Sequence, residues 1–254
     1  MVNIMSIKKR IRRLYRFVYS LCPPYFTTIE INSSKTNRSY SADFRTATPI
    51  ERERLTGRLM ETNRPIMKRI LSDIQLNDDI WDIGAHLGRY TCFFAAATDG
   101  TVLGVEPHPI NADRIEYNLE LNGLSATIIQ AAVGETATEQ TFYSRHKEAG
   151  EFLSTVISED EGYHEYKIPI VTGEKLSSEA GGLPSVVRID TVGAEPPILR
   201  TLEDQLTVCR LLYVHTYPQR YNDKYQGVND HLQSLGFETE QMNESNIIIA
   251  KKDV

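Results

Sequence analysis

Apolar positions fall into successive regimes along the chain. Near the N-terminus Ile4, Ile7, Ile11, Leu14, Val18 and Leu21 recur at spacings of three and four, which predicts a helix with one apolar stripe, stopped by Pro23 and Pro24. From Ser33 to Thr48 the chain turns polar and reads as a loop or loose hairpin. Glu51 to Ser72 regains helical spacing through Ile66, Ile70 and Leu71, as one or two helices, with Pro65 placed to start one. Beyond it the period shortens. Strand candidates are Ile80 to Ile83, Val102 to Glu106, Ala126 to Ala131, Val186 to Asp190, Leu211 to Thr216 and Ile247 to Lys251. Helical patterns lie between several of them: Asn111 to Leu121, Pro197 to Asp204 and Tyr225 to Leu235. Short apolar strands alternating with helices predict an α/β fold whose parallel sheet is covered on both faces. The expected organisation is a basic amphipathic helix and polar connector over residues 1–50, then one α/β domain over residues 51–254.

Composition agrees with a single domain: 254 residues, 41% hydrophobic and 24% charged. No apolar run approaches the roughly 20 residues needed to span a bilayer, so a soluble protein is expected. Cys22, Cys92 and Cys209 lie far apart in apolar contexts, which suits buried free thiols rather than a disulfide framework or a zinc site. Charge is uneven. Residues 1–22 hold Lys8, Lys9, Arg10, Arg12, Arg13 and Arg16 with no acid, so the overall −6 leaves −12 for the rest. Such a segment suits a helix on an anionic membrane surface, one docked to a polyanion, or one packed on the domain with its charges in water. A secretory signal fits less well, and a cytoplasmic protein, at the inner membrane surface if the basic helix binds there, is expected. Nucleic acid is not the expected partner, because the acidic body repels phosphate and nothing resembles a recognition module.

Right-handed crossovers align the carboxyl ends of parallel strands on one edge, where ligands bind. That rule selects Asp82 to Gly88, Glu106 to His108, Ala131 to Gly134, Asp190 to Glu195 and His215 to Pro218. In Asp82-Ile83-Gly84-Ala85-His86-Leu87-Gly88, Gly84 permits a tight turn with close ligand approach and Gly88 lets a helix start against the sheet. Glu106, 22 residues after Gly84, is placed to accept two ribose hydroxyls. A nicotinamide dinucleotide is the rival ligand. GxGxxG is absent, however, and Asp82 brings negative charge towards a pyrophosphate. S-adenosylmethionine carries an ammonium and a sulfonium, which an acid suits.

Four motifs in order, Asp82-Ile83-Gly84-Ala85, Val105-Glu106-Pro107-His108-Pro109, Ala131-Ala132-Val133-Gly134, and Arg188-Ile189-Asp190 with Gly193-Ala194-Glu195, resemble the FkbM-type methyltransferases over about residues 79–218. The resemblance implies a Rossmann-like methyltransferase fold with a mostly parallel seven-stranded sheet, and S-adenosylmethionine-dependent O-methylation of a saccharide, glycan or glycolipid hydroxyl. It implies a cofactor site of Asp82, Gly84, Ala85, His86, Gly88, Glu106, Pro107 and Ala132, with Asp82 and Gly84 beside the methionine part, Glu106 on the ribose and Ala132 near the adenine. No metal ligands are assigned.

Transfer to a sugar hydroxyl needs a group that takes its proton. Asp190, ending a strand, is the first candidate, with capping of the following helix as its structural alternative. His215, ending the next strand, is the second, since histidine is the usual proton acceptor. Glu195 fits the first turn of a helix, where the dipole favours an acid. Departures from the family pattern gather here: Val192 stands where an acid is usual, His215-Thr216-Tyr217-Pro218 replaces Glu-Val-His-Pro, and His86 replaces asparagine. Residues 144–185, with Tyr143, Arg145, His146, Phe152, Tyr163, His164 and Tyr166 in and beside them, read as an aromatic and polar lid. Two further classes stay open: a cofactor-binding or scaffold protein that has lost catalysis through Val192 and His215, and an NAD-dependent oxidoreductase.

Overall fold

The computed structural model describes residues 25–33, 38–153, 163–217, 224–242 and 246–253. The basic helix expected over residues 1–22 lies outside them. An antiparallel hairpin comes first, β1 (Tyr25–Asn32) with β2 (Ser39–Thr46). Helices α1 (Pro49–Thr56) and α2 (Arg58–Asp73) follow. The α/β succession is then β3 (Ile80–Ile83), α3 (Arg89–Ala97), β4 (Val102–Val105), α4 (Pro109–Leu121) and β5 (Thr127–Ile129). A small sheet of β6 (Ala132–Val133), β7 (Thr138–Ser144) and β8 (His164–Val171) precedes α5 (Gly173–Ala180). The chain closes with β9 (Val186–Ile189), α6 (Glu195–Thr201), β10 (Leu211–His215), α7 (Lys224–Ser234), β11 (Glu238–Gln241) and β12 (Ile247–Lys251).

The main sheet has seven strands in the order β11-β12-β10-β9-β3-β4-β5. From β10 to β5 every pairing is parallel, and β12 runs antiparallel to both its neighbours. Strands β3, β4 and β9 are buried at every position, as strands covered on both faces must be. Their alternate residues feed two cores. Ile80, Val102, Val186 and Leu211 meet the hairpin and α1 to α4, while Trp81, Leu103, Val187 and Leu212 meet α5, α6 and α7. The chain runs outward in one direction from β3 and in the other from β9. Their adjacent carboxyl ends are therefore the switch point of the sheet.

Three expectations change. Residues 25–46 are not a connector outside the domain. Ile29, Ile31, Tyr40, Ala42 and Phe44 join the core, with the rings of Phe44 and Phe93 6.1 Å apart. The open edge of β2 is closed by side chains of α4, Asn122 bonding Asp43 at both its N–H and C=O and Asn118 accepting from Arg45 N–H at 3.1 Å. Pro65 lies inside α2 rather than starting it. The break falls instead at Gly57, where a Cβ would lie 2.6 Å from the Glu53 carbonyl, and the carbonyl that Pro65 leaves unbonded belongs to exposed Glu61. Finally, the insertion at 144–185 is partly regular, since it carries β8 and α5.

Candidate functional site

At the switch point the chain leaves β3 through a turn that glycine makes possible. Gly84 has φ 85, and a Cβ there would stand 2.1 Å from the Asp190 carbonyl. Its missing side chain is thus required first by the end of β9. Gly88 has φ 77, and a Cβ there would press on Ile115 at 2.8 Å, so it sets α3 close against α4. The N–H groups of Gly84 and Ala85 both bond the Val105 carbonyl, and His86 N–H donates to Glu106 Oε2 at 2.8 Å. The turn is fastened to β4.

Asp82 is fully buried, with one oxygen accepting from Thr91 at 2.6 Å and the other from Arg188 at 2.7 Å. The charge expected to face a cofactor is thus shared with Arg188. Arg188 reaches across from β9, where the parallel register sets it beside Asp82, and its other nitrogen donates to Asp190 at 2.5 Å. Tyr90 lies under the guanidinium, 3.8 Å from ring centroid to Cζ. Burial opposes the charge on Arg188, but Asp82 and Asp190 outweigh it and hold the guanidinium protonated.

Asp190 Oδ1 accepts from the Tyr217 hydroxyl at 2.5 Å and stands 3.3 Å from His215 Nδ1, which is 3.1 Å from that hydroxyl. Burial again opposes ionisation, yet Arg188, then His215 and Tyr217, hold the Asp190 carboxyl well below the usual carboxylate range. A carboxylate so stabilised is a weak proton acceptor and is suited to orienting its neighbours. It does not cap a helix. The cap residue of α6 is Ala194, and buried Glu195 instead collects Thr191 N–H, Thr191 Oγ1 and Gly193 N–H. Burial and then the Asp190 charge raise the Tyr217 hydroxyl, so it stays protonated and donates. A small solvent-open pocket lies beside this group between α2 and the ends of β9 and β10, lined by Asn63, Ile66, Tyr90, Arg188, Asp190 and His215.

Glu106, just past β4, is 6% exposed and accepts from His86 N–H, His108 N–H at 2.9 Å and Asn111 Nδ2 at 3.4 Å. Burial pushes it up to about 7 against those donors. One lone pair of Oε2 stays open, so the carboxylate can still accept a hydroxyl. Asn111, which the sequence reading missed, also fastens the strap after β7: it accepts from Gly150 N–H at 2.7 Å and donates to the Glu151 carbonyl at 2.9 Å. His86, at φ 56, donates from Nε2 to the Gly150 carbonyl and stacks on Phe152 at 4.8 Å. Burial lowers His86 to about 3, so the ring is neutral. Pro107 is half-buried between Glu106 and His108, and Ala132 starts the small sheet, paired with Ile170. A glycine cradle beside a buried carboxylate with an open lone pair fits a nucleoside with free ribose hydroxyls. No group of three or more side chains suited to hold a metal occurs among the described residues.

The strand order, the single antiparallel strand and the acid-and-glycine turn at the switch point define a Rossmann-like S-adenosylmethionine-dependent methyltransferase domain. Residues 82–239 match the Methyltransferase FkbM domain, and the chain belongs to that family. A curated relative, the hexuronic acid methyltransferase AglP of Haloferax volcanii, is 21% identical over 161 residues, 60% of this chain. The match spans 61% of that relative's length. Among solved structures, the magnesium protoporphyrin IX methyltransferase of Synechocystis PCC 6803 with bound S-adenosylmethionine is similar at TM-score 0.50 and 13% identity, covering 81% of this chain and 84% of that one. The precorrin-6y C5,15-methyltransferase of Geobacter metallireducens has TM-score 0.48 and 15% identity over 74% of this chain and 89% of its own. The likeness to the magnesium protoporphyrin IX methyltransferase concerns the fold alone.

Proposed function

We propose that this chain is an O-methyltransferase acting on a saccharide hydroxyl, free or within a glycan or glycolipid, with His215 as the general base and Asp190 as its positioning residue. The observation that supports this reading is the hydrogen-bonded group of Arg188, Asp190, His215 and Tyr217 beside a small solvent-open pocket at the switch point. Bound S-adenosylmethionine supplies a methyl group on a sulfonium. Glu106 accepts a ribose hydroxyl, while Gly84, Ala85, His86 and Gly88 shape the turn below and Pro107 and Ala132 flank the adenine. Asp190, ionised and held by Arg188, keeps the His215 ring oriented with its proton on Nδ1. Nε2 is then the atom that takes the acceptor's proton. The relative's hexuronic acid substrate favours a sugar acceptor here. Within the same reading, basic residues 1–22 bring the enzyme to an anionic membrane surface.

Transfer of labelled methyl from S-adenosylmethionine to a panel of hexosides and hexuronosides tests this. Asp190→Asn should lower kcat about a hundredfold while leaving the Kd for S-adenosylhomocysteine within about threefold. Cofactor binding without turnover on any acceptor would refute the enzyme reading in favour of a scaffold. Unchanged kcat in Asp190→Asn would remove the Asp190–His215 pair from the mechanism.

A further inference from the structure

Arg89 opens α3, directly after the cofactor turn. Its Nη1 donates to the Arg54 carbonyl at 3.2 Å and touches Met60 Sδ at 3.6 Å, whereas its buried Nε has no partner. No carboxylate forms an ion pair with it among the described residues. Arg188 differs sharply, for it spans two carboxylates. Arg89 and Arg188 share the ring of Tyr90, with Arg89 Cζ 5.3 Å from its centroid. Arg54 lies 4.5 Å over Phe152 and likewise forms no ion pair among the described residues. Arg54 and Arg89 both act electrostatically on His86, so the two cations flank the turn. Burial disfavours the Arg89 charge and Arg188 adds to that, while Tyr90, Asp190 and Asp82 favour it from a distance, the two carboxylates being engaged directly by Arg188.

A half-buried cation held by no ion pair is a ready partner for an incoming anion. The N-terminus of α3 adds positive potential at the same place. A guanidinium presents a planar fork that matches a carboxylate with two parallel bonds. We propose that Arg89, backed by Arg54, is the seat of a ligand carboxylate at the mouth of the cofactor turn. The inference rests on the methyltransferase reading of the site. Within it two ligands bring that chemistry: the methionine end of the cofactor, and an acidic sugar as acceptor.

Calorimetry on wild type, Arg89→Gln and Arg89→Lys separates the sources with S-adenosylhomocysteine, which has the carboxylate, and 5′-methylthioadenosine, which lacks it. If the cofactor's carboxylate sits there, Arg89→Gln weakens the first by about tenfold to a hundredfold and leaves the second unchanged, with Arg89→Lys in between. If the acceptor's does, both nucleosides bind unchanged, and the wild-type preference for a glucuronoside over the matching glucoside is lost in Arg89→Gln. Ligand-free Arg89→Gln should melt no lower than the wild type, since it removes a half-buried charge held by no ion pair. Unchanged nucleoside and sugar preferences, or a lower melting point with both nucleosides weakened equally, would overturn the proposal. Wild-type protein that binds neither nucleoside would sink the methyltransferase reading itself.

Discussion

Replacing Glu106 by glutamine preserves the side chain's shape and removes its charge. The carboxylate is 6% exposed and takes backbone N–H bonds from His86 and His108. Charge-assisted bonds from ligand hydroxyls contribute roughly 1.5–3 kcal/mol each, and a neutral amide oxygen recovers part of that. The net loss of about 1–2 kcal/mol for the one hydroxyl bond weakens S-adenosylhomocysteine roughly 5- to 30-fold at pH 8. Wild-type affinity should also depend on pH. With burial holding the carboxyl at about 7, it is about nine-tenths ionised at pH 8 and about one-tenth at pH 6, so Kd rises about tenfold on acidification. His86 and His108, lowered by burial to about 3 and about 4, stay neutral across that window. The ligand-free fold runs the opposite way. A carboxyl raised from 4.5 to about 7 holds its proton more tightly folded than unfolded, so about 3 kcal/mol of stability is lost as pH rises through that range. Calorimetry and thermal melts at pH 6, 7 and 8 on both proteins measure the two slopes. A wild-type Kd that stays flat, or a slope that persists in Glu106→Gln, would refute the reasoning.

Val192 is a β-branched residue at φ 50 with 37% exposure, a conformation that asparagine adopts more easily. Val192→Asn should stabilise by about 1 kcal/mol and raise Tm by roughly 2–4 °C, read by thermal melt; an unchanged or lower Tm argues against strain there. Cys92 and Cys209 are buried, and burial pushes both thiols up to about 12. A thiol reagent at pH 8 should therefore modify at most Cys22 in the native protein and all three cysteines after denaturation; fast labelling of a second native thiol would contradict their burial.

The sheet was legible where strands are buried on both faces, because β3, β4, β9, β10 and β12 are short, predominantly apolar runs, interrupted only by Asp82 in β3 and Arg188 in β9 and ending on His215 in β10 and Lys251 in β12. The seventh strand, β11, reads Glu-Thr-Glu-Gln on an exposed edge and carries no such signal. β2 hides its inward residues Tyr40, Ala42 and Phe44 among polar ones that face outward, which makes the segment look like a loop. In the site, the glycines and Glu106 declare themselves by residue type and spacing. The partners of Asp82 do not: they depend on a register that sets Asp82 against Arg188 across 106 positions of sequence. Asn111 was missed for the same reason, since its role lies in a strap 39 and 40 residues away.

Asn118 accepts from the backbone of the hairpin and donates to the Leu87 carbonyl within the cofactor turn at 3.0 Å. One side chain thus couples a segment outside the matched range 82–239 to the centre of that range. A chain trimmed to begin at residue 51 would keep every family motif, yet it would expose Phe93 and leave Asn118 with half its bonds. The unit that must be inherited, expressed or grafted intact is larger than the unit that recognition by motif outlines. Changes in the hairpin's length or sequence are therefore a route by which relatives with the same turn can come to differ in how firmly that turn is held.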